Sequence, residues 1–208
     1  MEYFHPNETV YHSAHNDILE VHWVNGRKVL DTRHANYSYG TLQEVLENGL
    51  DSIPLDQLQS TLVLGMGAGC VVESLRDRKY EGPILGIEID PVIIEIAEKE
   101  FRLFKDKKVE VLEGDAGEYI QDEERTYDLI IIDLFIDTEV PAQFYKKKFW
   151  QDVLRITNSQ GFVLFNAGID LSEEDLDAFL MRLPEDFIYQ IMLNVLESNT
   201  LIILQNAY

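Results

Sequence analysis

Four carboxylates, Glu88, Asp115, Asp133 and Asp137, fall at or just past the ends of short apolar runs. In an open parallel sheet those positions are the carboxyl ends of strands, where ligands bind, so adjacent strand ends would gather the four acids around one crevice. Upstream of them, residues 61–90 (TLVLGMGAGCVVESLRDRKYEGPILGIEID) set out an apolar strand, a glycine turn at Gly65, Gly67 and Gly69, a helix, a second strand and an acid. That order of parts suits an adenine nucleoside, because the glycines let backbone approach the ligand and open a helix N-terminus toward it. Glu88 lies 19 residues past Gly69, close to the roughly 20-residue offset at which an acid meets ribose hydroxyls. Asp115, in EGDAGEY, is placed to hold an adenine amino group. Asp133 closes the run YDLIIID.

Each of these residues also has a plainer reading. The glycines can make a tight strand-to-helix turn with no ligand, Asp115 can cap the short helix after it, and Asp133 can cap its own loop. Asp90, directly before Pro91, reads as a helix N-cap. Cys70 reads as a small packing residue just inside a helix.

The elements that must position these groups alternate along the chain. PVIIEIAEKEFRLF (91–104) has helical spacing, KVEVLEG (108–114) is a short strand, and DAGEYIQDEE is a brief helix or turn. YDLIIID (127–133) reads as a buried strand. VPAQFYKKKFWQDVLRI (140–156) reads as one amphipathic helix with Phe144, Trp150, Val153 and Leu154 inward, and GFVLFNA (161–167) as a fifth strand. LSEEDLDAFLMRL (171–183) carries Ser172 and Asp175 at capping-box spacing, and the last segment reads as two strands joined at 197–199. Such alternation implies an α/β protein with a mostly parallel sheet covered on both faces. Before it, residues 9–31 alternate in short runs around Asn25-Gly26, a hairpin signal, and TLQEVLENGL is a helix leading into the sheet. The expected organisation is a small N-terminal β-hairpin region over 1–40 and a Rossmann-like nucleoside-binding domain over 41–208.

Composition bounds the function. At 208 residues with 46% hydrophobic content the chain buries one substantial core. One cysteine rules out an internal disulfide framework and suits a reducing compartment. With no signal-like start and no run of membrane-spanning length, a cytoplasmic protein without a membrane partner is expected. The net charge of −21 argues against a nucleic-acid partner, which needs a basic stripe, and would concentrate cationic small molecules instead. Lys146, Lys147 and Lys148 form the one dense basic cluster and read as a solvated helix face. All five histidines lie between His5 and His34, but His12 and His15 would face opposite sides of a strand, so no metal site is expected. His34 lies in RHANYSYG, leading toward the crevice.

Several of these pieces resemble the spermidine synthase family of polyamine aminopropyltransferases, within the class I S-adenosylmethionine-dependent methyltransferase fold. HNDIL (15–19) resembles the family's YQDIL, GRKVLD (26–31) the strand before its LDG turn, and YSY (37–39) its FSY; the glycine turn, GIEID, EGDA and YDLIIID complete the likeness over residues 11–167. The resemblance implies a mostly parallel seven-stranded sheet with a C-terminal antiparallel hairpin and a small N-terminal β layer. It implies that Glu88 is the ribose acid, Asp115 the adenine-contacting acid, Asp133 the catalytic aspartate and Tyr39 a substrate-lining tyrosine. Asn16 stands where the family has a glutamine near the nucleoside, and Asp137 is the second acid offered to the substrate. The donor implied is S-adenosylmethionine or its decarboxylated form, the acceptor a small cationic amine, and the assembly a homodimer with Trp23 on its apolar edge.

The departures from the family pattern carry their own expectations. Where the family reads GGGDGG this chain reads GMGAGC, so the acid that would hold the donor's ammonium is Ala68. A charge-assisted hydrogen bond contributes about 1.5 to 3 kcal/mol; its loss weakens the case for the decarboxylated donor and shifts weight toward methyl transfer. The family's DSSDPxGP loop becomes DLFIDTEVP, with Asp133 kept and Asp137 in a shifted register. Three functions are therefore expected to compete: alkyl transfer to a small amine, methyl transfer to a different small molecule, and nucleoside binding or assembly without turnover.

Overall fold

The computed structural model describes residues 9–32, 36–136, 139–169, 171–196 and 199–208. Four strands open the chain, β1 (Thr9–Ser13), β2 (Asp17–Val24), β3 (Arg27–Thr32) and β4 (Asn36–Ser38), and pair in sequence order as an antiparallel sheet. The predicted hairpin is its β2–β3 centre. Asn25 and Gly26 both take positive φ, 51° and 82°, the handedness that matches the twist of the flanking strands. The N-terminal layer is thus a four-stranded sheet rather than a lone hairpin.

The helix α1 (Thr41–Leu50) follows. Then come β5 (Thr61–Leu64), α2 (Cys70–Asp77), β6 (Ile84–Glu88), α3 (Pro91–Lys99), β7 (Val109–Glu113), α4 (Ala116–Asp122) and β8 (Tyr127–Ile132). The chain closes with α5 (Lys147–Arg155), β9 (Thr157–Ile169), α6 (Glu173–Leu180), β10 (Phe187–Val195) and β11 (Asn199–Asn206). The main sheet has seven strands in the order β10-β11-β9-β8-β5-β6-β7. β5 to β9 pair in parallel, and β11 joins antiparallel to β9 and β10. The α/β architecture read from the alternation of elements is therefore the one observed, including the antiparallel end.

Side-chain alternation along the buried strands splits the core into two faces. Leu62, Leu64, Ile130 and Ile132 pack with Trp150 and Phe179 beneath α4, α5 and α6. Val63, Leu129 and Ile131 pack with Leu46, Val71 and Leu75 beneath α1 and α2. A third apolar cluster joins the N-terminal sheet to the main domain: Leu19, Val21 and Leu30 meet Ala68, Cys70, Ile93 and Ile96.

Two segments depart from the sequence reading. The stretch 140–156 is not one helix: a 3₁₀ turn (Ala142–Tyr145) precedes an extended Lys146, and α5 starts at Lys147. The break lets both Phe144 and Trp150 turn inward, with the Trp150 indole N–H donating to the Phe144 carbonyl at 2.8 Å. α3 likewise stops at Lys99, and Arg102 takes a left-handed φ of 59° that drops Leu103 into the core. The α6 cap is as read: the Ser172 hydroxyl accepts from the Asp175 amide.

Trp150 is fully buried and makes edge contacts with Phe149, Phe165, Phe179 and Phe187. Trp150→Ala is expected to lower unfolding free energy by about 3 to 5 kcal/mol, measured by urea denaturation.

Candidate functional site

Parallel register brings the ends of β5, β6 and β8 to one edge, and there the chain leaves a cleft of about 510 Å³ including its open mouth. Gly65, Glu88, Asp115 and Asp133 line it, and Ile89, Leu134, Phe135, Ile136, Pro141 and Phe144 supply an apolar wall. Acids on one side and apolar carbon on the other fit a ligand with a flat face, hydroxyls and positive charge.

Glu88 is 3% exposed. One carboxylate oxygen accepts from the Gly67 amide at 2.9 Å and the other from the Asp90 amide at 3.0 Å. An ionised carboxylate has about four lone-pair sites, so each oxygen retains capacity toward the cleft for a pair of vicinal hydroxyls. Burial pushes its pKa up to about 7, against the pull of the Asp90 and Gly67 amides.

Asp115 is the helix cap that its plainer reading expected, and it also stands at the cleft. Its Oδ1 accepts from the Glu118 amide at 2.9 Å, capping α4, while the residue lines the cleft. Asp133 follows β8, and burial lifts its pKa to about 6 while the Asn166 amide, donating to Oδ1 at 2.9 Å, opposes the rise.

The glycine turn has positive φ at Gly65, Gly67 and Gly69; backbone closes Gly65 to a side chain, and at Gly69 a side chain would have to displace Leu103. A Cβ on Gly65 would lie 2.1 Å from the Asp133 carbonyl oxygen, and one on Gly69 would lie 2.6 Å from Leu103. Gly65 therefore brings strand β5 against Asp133, while Gly67 offers its N–H to Glu88.

Asn16 and Tyr39 take positions beside the cleft lining rather than in it. Asn16 donates from Nδ2 to Asp90 at 2.6 Å, and the Ser13 hydroxyl donates to the same Asp90 oxygen. The other Asp90 oxygen caps α3 through the Val92 amide at 2.9 Å. Asp90 is thus the N-cap expected and, beyond that, the buried post on which the β1–β2 turn is fastened. Tyr39 stacks on Phe101 with centroids 4.6 Å apart, and burial pushes its hydroxyl pKa far above the ordinary value. Cys70 packs in the same cluster, its thiol pushed up to about 11 by burial. Asp137 and His34 lie outside the described residues. Among the described residues no group of three or more His, Cys, Asp or Glu could hold a metal ion.

Sequence reading missed Asn166. The signal was present, since a polar residue ends the apolar run of β9, GFVLFNA. It also missed the apolar wall, whose members come from the β6–α3 and β8–α5 connections and carry no spacing pattern.

A family model for the spermine/spermidine synthase domain matches residues 49–192. A curated relative, a polyamine aminopropyltransferase of Vibrio vulnificus, is 30% identical over 108 residues, covering 50% of this chain and 36% of the relative. The eEF1A lysine and N-terminal methyltransferase homolog of Drosophila melanogaster is 28% identical over 120 residues, covering 53% of this chain and 18% of that protein. The chain thus matches about a third or less of the length of these relatives. Among solved structures, a probable spermidine synthase from Corynebacterium glutamicum superposes with a TM-score of 0.78 at 15% identity, over 98% of this chain and 81% of the other.

The buried Glu88 makes a pH prediction. Its carboxyl releases its proton near 4.5 when unfolded and near 7 when folded, so the folded state binds more protons between those values. The stability contributed by the protonated form is present below about pH 4.5 and is lost as pH rises through about 7. At about 1.4 kcal/mol per pH unit this is about 3 kcal/mol. Denaturation of wild type and Glu88→Gln across about pH 4 to 8 is expected to show the difference in unfolding free energy moving in the variant's favour by that amount.

Proposed function

Because the chain belongs to the spermine/spermidine synthase domain family, we propose that it is an alkyl transferase: it binds an adenosyl sulfonium and passes an alkyl group to a small amine. The observation that carries this reading is Asp133, a carboxylate with its pKa lifted to about 6 at the edge of a cleft that also holds the glycine turn and Glu88. In this reading Glu88 takes the ribose hydroxyls, Asp115 and the wall of Ile89, Pro141 and Phe144 hold the adenine, and Asp133 serves the acceptor. Tyr39, Asn16 and Asp137 are the remaining proposed contacts. Tyr39 and Asn16 would reach the ligand from the N-terminal sheet.

The chemistry asks for such a base. An alkylamine with the pKa of lysine, about 10.4, has only about one molecule in 2,500 unprotonated at pH 7, a cost of roughly 4.6 kcal/mol. A carboxylate in hydrogen-bond reach takes the nitrogen's proton and aligns the freed lone pair with the carbon on sulfur. The N–C bond forms, the C–S bond breaks with its electron pair passing to sulfur, and the sulfonium becomes a neutral thioether.

The transferred group is aminopropyl from a decarboxylated donor or methyl from the intact one. Ala68 favours methyl transfer as a second reading: it is fully buried against the N-terminal sheet and offers no charge to an ammonium. Acid at this position would pair with the decarboxylated donor and repel the carboxylate of the intact one.

Purified protein incubated with each labelled sulfonium and a panel of diamines, polyamines and monoamines is expected to transfer label from at least one donor, and Asp133→Asn to lower kcat by about 10²- to 10⁴-fold. Transfer to non-amine acceptors alone would select methyl transfer of another kind. Calorimetric binding of methylthioadenosine with no turnover would reduce the protein to a nucleoside binder.

A further inference from the structure

Asp133 does not stand alone at the sheet edge. Residues 132 and 165 are paired in the parallel β8–β9 ladder, which sets Asp133 and Asn166 side by side one residue on. β11 runs antiparallel to β9, so its first residue, Asn199, lies at the same edge. Three strands thus deliver three polar side chains to one place, and they join: Asn199 Nδ2 donates to Asn166 Oδ1 at 3.1 Å, and Asn166 Nδ2 donates to Asp133 Oδ1 at 2.9 Å. Asn166 is fully buried and Asn199 nearly so.

The orientation of the Asn166 amide is fixed by a backbone group. The Gly168 N–H donates to Asn166 Oδ1 at 3.3 Å, and a backbone N–H has no alternative as a donor. With Oδ1 taken by Gly168 and Asn199, the NH₂ must face Asp133. An NH₂ group accepts nothing, so Asp133 Oδ1 must remain an acceptor, and a proton taken by this carboxyl goes to Oδ2.

We infer that Asn166, held by Asn199, is the positioning residue of Asp133: it locks the carboxylate's rotation, keeps it ionised against burial and assigns proton uptake to Oδ2. The positioning of a base rests on the reading of Asp133 given above; the hydrogen-bonded chain does not. Among the described residues, other titratable groups near Asp133 are Glu88 and Asp115 in the same cleft and Cys70 on α2, whose thiol senses the Asp133 charge. None of them replaces the Asn166 donor.

The test reads Asp133 directly. In protein labelled with ¹³C at aspartate carboxyls, the Asp133 resonance is the one missing from Asp133→Asn, and its midpoint in wild type is expected near 6. Loss of a hydrogen bond to a charged group is expected to raise that midpoint by about 1 to 2 pH units in Asn166→Ala. Asn199→Ala, which loosens the amide but leaves the Gly168 N–H on Asn166 Oδ1, is expected to raise it by a smaller amount. The acid limb of the kcat profile should move with the midpoint in both variants, a change that simple loss of stability does not produce. A midpoint unmoved in folded Asn166→Ala overturns the inference; if that variant does not fold, an unmoved midpoint in the near-isosteric Asn166→Leu overturns it. Shifted midpoints in a protein that transfers from neither donor would uphold the relay and reject the transferase reading, while transfer with unmoved midpoints does the reverse.

Discussion

The carbonyl oxygen of Asp133 occupies the space that a side chain on Gly65 would fill, 2.1 Å from the position of a Cβ. That single approach sets the geometry of the cleft. It draws the end of β8 against the first residue of the glycine turn, so Asp133 and the glycine loop share one wall. The turn then presents the Gly67 N–H to Glu88 on the neighbouring strand. Glycine at position 65 is thus demanded by the protein's own backbone before any ligand arrives.

From Glu88 the same logic runs outward. Its second oxygen takes the Asp90 amide, and Asp90, fully buried, accepts from Ser13 and Asn16 in the turn of the first hairpin. A buried carboxylate is tolerated when its lone pairs are filled by donors, and here the donors come from three parts of the chain. The N-terminal sheet is therefore tied to the Glu88 side of the cleft by hydrogen bonds as well as by the apolar cluster around Ala68. Glu88 and Asp90 are joined directly through the Asp90 amide.

What the sequence displayed, and what it concealed, follows from the range of the forces involved. The parallel strands are legible because burial on both faces demands continuous apolar runs such as LVL, ILGI and LIII, and the caps at Asp90 and Ser172 are legible because they act over two or three residues. Asp133 and Glu88 are legible as acids at strand ends. The break at Lys146 is not, because the periodicity of Phe144 and Trp150 suits a helix and only the indole-to-carbonyl bond and the packing of both rings decide otherwise. Asn166 is hidden for a similar reason: its partners are 33 residues away in each direction, and only the register of β8, β9 and β11 brings them together. The glycine turn was legible as a turn, but its tight contacts come from Asp133 and Leu103, which no local pattern announces.

Electrostatics joins these parts. Among the described residues, Glu88 and Asp133 are carboxyls whose pKa values burial lifts, on a protein already carrying a net charge of −21. Backbone and amide donors offset part of that cost, and a bound cation would offset more, since an opposite charge within about 4 to 6 Å favours ionisation. A sulfonium between the two acids would lower both pKa values, releasing protons as it binds and leaving Asp133 ionised when the acceptor arrives. In the proposed reaction, the cost of burying acid at this edge would be offset by the same charge that makes a sulfonium reactive.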